Sequence, residues 1–300
     1  MRWVLLLVAA AAAIGDTHKL KTRFTFRRPT VENVLSILFG CDVTHQIPEN
    51  EVKFNHNSVG ITLPIICNDA DESSDESYDM FPLCSGFPLD NESKQLNKFL
   101  DQLERSSRCT TDNIECSSIN YNGWRILRFR KRVGYGKRCY ACVQNAIHNW
   151  DFVSHDGKKA MGIIAPTKSV HLAEFNQTQP TTVPRIGLLG TFSEIRLLNS
   201  LFVVNPIQVI YDIKDSRNII PKSTVSSSSY ATLDGHLLTG EERVSIIFRE
   251  KNDAVDVEIV SFSRPAPSIN GRIAWPFIGR MQKQFFLKEL EHLSRVAKCK

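Results

Sequence analysis

Between Ala160 and Phe262 the chain carries six short strand-forming runs (160–165, 188–197, 201–213, 230–238, 243–249 and 255–262), cut by Pro, Gly, Asn and Asp. It then closes on a long amphipathic stretch, Arg280 to Ala297. There Phe286, Leu290, Leu293 and Ala297 recur at i, i+4, i+7 and i+11, and Phe285 and Leu287 widen the apolar face. Upstream, Trp124 to Val133 reads as one more strand, and Gly134-Tyr135-Gly136 as a turn. The turn leads into a helix whose stripe is Cys139, Cys142, Val143, Ala146, Ile147 and Trp150. Strand, helix, six strands and a long final helix is the order of an α+β, helix-grip-like fold, a curved antiparallel sheet packed on its C-terminal helix. A sheet too curved to close on the helix leaves a cavity between them, suited to an apolar ligand.

With 300 residues, 42% apolar and 23% charged, the chain is long enough for a real core and too polar for a membrane bundle. Its net charge of +5 permits an anionic partner without demanding one. Arg2 followed by the apolar run Val4–Ile14, with Ala13 and Gly15 at the −3 and −1 positions, predicts a signal peptide over 1–15, since the run is too short to span hydrocarbon. Beyond Asp16, the residues His18, Lys19, Lys21, Arg23, Arg27 and Arg28 all come before the next acid, Glu32. A secretory destination therefore has an alternative, a plastid reached by a two-part address. Asn91-Glu92-Ser93 and Asn176-Gln177-Thr178 are glycosylation sequons usable on that route.

All eight cysteines lie beyond the predicted cleavage, an even number fit for an oxidising lumen, and at least one bridge is expected among Cys67, Cys84, Cys109 and Cys116. Cys139-Tyr140-Ala141-Cys142 has redox spacing but no thioredoxin context, and both sulfurs are expected to pack in the core. Residues 16–67 form the N-terminal part of the domain, with a short helix capped by Thr30 and a strand from Val52 toward Leu63. Residues 68–122 read as an acidic, Cys-containing insertion. Asp69, Asp71, Glu72, Asp75, Glu76 and Asp79 alternate with serines in a solvated loop, and Leu96, Phe99, Leu100 and Leu103 mark one helix. That acidic run has no Gly-marked cage, so no metal site is expected; residues 123–300 hold the helix-grip-like core.

The segment Thr232-Leu233-Asp234-Gly235-His236-Leu237-Leu238-Thr239-Gly240-Glu241-Glu242, followed by Ser261-Phe262-Ser263-Arg264-Pro265-Ala266, resembles the signature of the family called domain of unknown function nineteen-ninety, or uncharacterised protein family zero-five-four-eight. Phe26-Arg27-Arg28-Pro29, Val59-Gly60-Ile61-Thr62, Val133 through Trp150, Asn205 to Tyr211, Pro276 and Gln282 fall in the same order. Ala231 stands where the family usually carries glycine. The resemblance implies a helix-grip-like fold and no agreed activity; the wider lipid-transfer group is an analogy of fold.

Gly235-His236 and Gly240-Glu241 lie on a predicted hairpin, where glycine permits close backbone approach and a base and a carboxylate come within reach. They would bind a polar headgroup or shuttle a proton; the plainer reading is a turn held by side-chain to backbone hydrogen bonds. Tyr211 and Gln282 join them as expected polar contacts, and Trp150, Phe262, Phe286 and Leu290 as pocket wall. No nucleophile elbow, phosphate loop or dinucleotide fingerprint is present, so no catalytic residue and no cofactor is expected. The expected partner is an apolar or amphipathic small molecule.

The rival reading is a membrane-surface protein. Arg125, Arg128, Arg130, Lys131, Arg132, Lys137 and Arg138 would meet anionic lipid, and the secretory address argues against nucleic acid. An enzyme of cyclase or hydrolase type using His236 and Glu241 is a third reading.

Overall fold

A computed structural model describes residues 23–25, 114–121, 123–154, 165–166, 185–191, 202–217, 219–220, 222–267 and 269–299. The predicted signal peptide, both sequons, the acidic run, the short helices near Thr30 and Leu96 and the strand from Val52 lie outside these residues.

The strands are β1 (Arg23–Thr25), β2 (Ile114–Tyr121), β3 (Trp124–Tyr135), β4 (Ala165–Pro166), β5 (Arg185–Thr191), β6 (Phe202–Ser216), β7 (Ser223–Thr232), β8 (Leu238–Arg249) and β9 (Ala254–Pro265). They form one antiparallel sheet in the order β2-β3-β9-β8-β7-β6-β5-β4, with β1 also on β6. The curved part that carries the helices runs from β2 to β6. Helix α1 (Gly136–His148) follows β3, a short 3₁₀ turn spans Asp151–Ser154, and α2 (Ile269–Val296) ends the described chain. At 28 residues, α2 is about 42 Å long. No helix among the described residues is long and apolar enough to cross a membrane.

Both helices lie on one face of the sheet, here called inner. Phe129, Val244, Ile246, Phe248, Val257 and Ile259 meet Val143, Ala146 and Ile147 of α1 and Phe286, Leu290 and Leu293 of α2 in a single buried core. Alternation builds it: each of these strand residues is two positions from the next on its own strand, so one parity faces the helices throughout. Phe129 and Phe286 meet edge to face with centroids 5.6 Å apart.

Four expectations are corrected. The run 230–238 is not one strand: its first three residues end β7 (Ser223–Thr232), Leu238 opens β8, and a turn lies between them. Buried on both faces, Ser226 to Ser229 find partners that isolated serines lack. Ser226 and Ser228 accept hydrogen bonds from Gln144 and Trp150, and Ser227 pairs with Ser245 at 2.8 Å. Helix α2 begins eleven residues before Arg280, with Pro276 inside it. Because Pro276 falls within the second turn, it removes one backbone bond without ending the helix. Residues 114–121 of the acidic segment form a strand paired along its length with β3. Finally, Cys139 is buried and free as expected, but Cys142 is bridged to Cys299 with Cα atoms 6.1 Å apart, tying the end of α2 to α1. Cys116 is also disulfide-bonded.

Candidate functional site

Register arranges the inner face in rows across the sheet. One row reads Phe129, Ile259, Val244 and Ser228; the next reads Leu127, Ser261, Glu242, Tyr230 and Val209; the third holds Arg125, Ser263 and Gly240. The face thus turns from apolar to polar within two rows. Beyond the polar rows, Leu237 and Leu238 pack with Ile278 and the partly buried Trp275 of α2, so apolar side chains border the polar zone at both ends.

The first cluster joins the sheet to α2. Tyr230 Oη donates to Glu242 Oε2, and the Glu289 carboxyl of α2 lies beside Glu242. Glu242 is 4% exposed and Glu289 0%, and Glu242 Oε1 and both Glu289 oxygens find no donor. Two carboxylates cannot bond each other, whereas a proton on Glu289 turns the contact into a hydrogen bond. Burial pushes Glu242 up to about 8 against the opposing pull of hydrogen bonds from Tyr230 and Glu289. Glu289 lies well above the carboxylate range, through burial first and the charge of Glu242 second. The pair therefore holds protons at neutral pH, one of them shared between the two carboxyls, and offers a donor to an acceptor oxygen. Trp150 stands against Tyr230, ring centroids 5.6 Å apart, with a backbone φ of 63° and Nε1 donating to Ser228 Oγ at 3.2 Å.

The second cluster centres on Gln282 of α2. Its Nε2 donates to Ser261 Oγ at 3.0 Å, while its Oε1 accepts from Ser263 Oγ at 3.2 Å and from Arg125 Nη2 at 2.8 Å. Of the residues expected from sequence, Gln282, Trp150 and Phe286 thus lie on the inner face, and Leu290 packs in the same core.

Others lie elsewhere, and here the expectation is corrected. Glu241 pairs in register with Ala231 and Phe262, and Tyr211 pairs with Ser229, all of outer-face parity. Those side chains point away from α2, so the acid that faces the helices is Glu242, one residue on. His236 sits in the β7–β8 turn, and its Nδ1 accepts the Leu238 N–H at 2.8 Å. Burial pushes its imidazole down to about 3, a neutral ring at physiological pH. Gly235 takes φ 88° in that turn. Gly240 has φ 156°, and a side chain there would strike the Phe262 carbonyl. The turn reading therefore accounts for this motif. His236→Ala is expected to cost about 1 kcal/mol of stability, the scale of one hydrogen bond, and to leave ligand affinity unchanged. A binding titration of a variant that is stable but no longer binds would return His236 to the site.

Sequence reasoning missed Tyr230, Glu242 and Glu289, and it grouped Arg125 with the lipid-facing basic residues rather than with the inner face. Parity could have found Glu242 and Arg125, in phase with Val244 and Leu127 respectively. Glu289 stands three residues after Phe286 and one before Leu290, inside the apolar stripe of α2. No group of three or more potential metal ligands occurs among the described residues.

The chain as a whole is similar to known proteins. The UPF0548 protein At2g17695 of Arabidopsis thaliana is 29% identical over 180 residues, 60% of this chain and 77% of that protein. The crystal structure of human STARD10 is similar with a TM-score of 0.39 at 5% identity, over 69% of this chain and 79% of that one. The family model described as Domain of unknown function (DUF1990) matches residues 111–291, a span that contains every inner-face residue of both clusters. On that match, in agreement with the signature around Gly235 and Gly240, the chain belongs to the DUF1990 family.

Proposed function

We propose that the protein binds a hydrophobic or amphipathic small molecule between the inner face of the sheet and α2. The observation that carries this reading is the buried carboxyl pair of Glu242 and Glu289, whose Glu242 Oε1 and Glu289 oxygens have no partner in the rest of the protein, set between apolar clusters. Each buried polar group left unsatisfied costs about 1–3 kcal/mol, and a ligand group that bonds to it recovers that cost. The apolar borders suit the body of such a ligand, and the protonated carboxyls suit its oxygen functions. The leader-like run Val4–Ile14 supports entry of this binder into the secretory route, with a plastid reached by a two-part address as the alternative destination.

Native mass spectrometry of the full-length gene product, expressed through a secretory host and compared with its denatured mass, tests the reading. The expected result is a reproducible adduct lost on denaturation and diminished in Glu242→Gln/Glu289→Gln. A clean apo mass after a lipid soak, together with liposome binding that fades as salt rises, would replace it with surface attachment.

A further inference from the structure

Arg125 differs from the other arginines of β3 and β8. On the outer face, Arg128 and Arg243 bond Glu258, and Arg130, Arg132 and Arg249 bond Asp256. Arg125 projects from the inner face, where no carboxylate among the described residues pairs with it. Its Nη2 donates to the neutral Gln282, its guanidinium carbon lies 4.2 Å from the Trp275 ring centroid, and its Nε is buried without a hydrogen-bond partner. Burial pulls its pKa down and no acid opposes the shift, yet a guanidinium keeps its charge at any physiological pH.

The surroundings are built to hold that cation in place. Gly279 of α2 stands where any side chain would collide with Nη1. Gln282 is itself fixed by Ser261 and Ser263, so the oxygen that orients Arg125 has a set position. The Trp275 ring covers one side of the guanidinium plane. A half-buried cation served only by an amide and a ring is a strong site for an incoming anion, because a guanidinium matches carboxylate and phosphate oxygens in charge and geometry.

We infer that Arg125 seats the anionic head of the bound molecule, a carboxylate or a phosphate monoester whose apolar chain follows the side chains bordering the polar rows. The inference rests on the ligand-binding reading above and narrows it from amphiphiles in general to acidic ones. Gln282 and Trp275 act as positioning residues, and the carboxyl pair of Glu242 and Glu289 meets neutral oxygens elsewhere on the ligand.

The test compares hexadecanoate, hexadecyl phosphate, hexadecanol and inorganic phosphate on the full chain by calorimetry and native mass spectrometry. Both amphiphilic anions are expected to bind about 10- to 100-fold more tightly than hexadecanol, the scale of a hydrogen bond to a charged group. Arg125→Gln should erase that margin and leave hexadecanol affinity unchanged, and Arg125→Lys should keep part of it. Gly279→Ala, which sets a methyl against Nη1, provides a second variant with the same expected pattern should Arg125→Gln fail to fold. Equal binding of hexadecanol and hexadecanoate, unchanged in Arg125→Gln, would overturn the anion site while the ligand-binding reading stood. Failure of all three amphiphiles would overturn both. Inorganic phosphate binding as tightly as hexadecyl phosphate would keep the anion site and remove the amphiphile.

Discussion

Glu258→Ala is expected to destabilise the protein by about 3–5 kcal/mol, the cost of removing one partner from a buried ion pair. Glu258 is fully buried on the outer face of β9, where it bonds Arg128 of β3 at 2.8 Å and Arg243 of β8 at 2.9 Å. Burial alone would push its carboxyl up. The charges of Arg128, Arg243 and Arg130 and the hydrogen bond from Arg128 outweigh burial and hold it below the ordinary value. Arg243 is equally buried, so deleting the carboxylate removes the bridge between two guanidiniums in a region of weak screening. Replacing Glu258 and Arg243 together by Leu and Met should cost less than the sum of the single changes, since the fully buried guanidinium goes with its carboxylate and only the partly exposed Arg128 loses that partner. Urea denaturation of the single and double variants measures this. A loss below about 1 kcal/mol for Glu258→Ala would show that water reaches the pair and that the outer face contributes little to cohesion.

The same residues show what the amino-acid order can reveal. The layer order was legible because strands and helix carry different periods, two and 3.6, and the apolar stripe of α2 fits the inner face with Phe286, Leu290 and Leu293 as read. β7 was obscured because its partners are distant in sequence: four serines look like turn residues until Trp150, Gln144 and Ser245 are brought to them. The start of α2 was hidden by Pro276, a residue that stops a helix more often than it sits inside one. The partner of Cys142 lies 157 residues away, and spacing carries no information about such a pairing. At the site, the glycine motif drew attention to His236 and Glu241, which hold a turn and face outward. The parity that assigns Glu242 and Arg125 to the helix side was present in the strands, but both are charged, and charged residues are normally assigned to solvent.

The carboxyl pair carries the second large effect, a fall in stability as pH rises from mildly acidic to alkaline. In the folded protein Glu242 titrates at about 8 against an ordinary value of 4.5, and Glu289 lies well above that ordinary value too. Between the unfolded and folded values the native state holds protons that the unfolded chain has released, so raising the pH favours unfolding. The slope is about 1.4 kcal/mol per pH unit for each proton retained. For Glu242 this window runs from about 4.5 to about 8, and above it the slope vanishes. Asp256 and Glu258 act in the opposite sense. Their folded values lie below the ordinary 3.8 and 4.5, so their contribution is complete above those values and is lost as pH falls through the folded ones. His236, pushed by burial to about 3 from an ordinary 6.5, likewise gains stability as pH rises to about 6.5 and offsets part of the carboxyl slope below that value, so the decline is clearest above it. Urea midpoints measured from pH 6.5 to 8.5, above the window in which His236 titrates only in the unfolded chain, should decline for the wild type and stay nearly level for Glu242→Gln/Glu289→Gln, with the double variant the more stable at pH 8. A level wild-type profile would mean that both carboxyls ionise freely, and the donor role assigned to them would fall with it. If the decline is seen, a ligand whose oxygen accepts from these protons must loosen over the same interval, because each carboxyl that ionises replaces a donor with a charge that repels that oxygen.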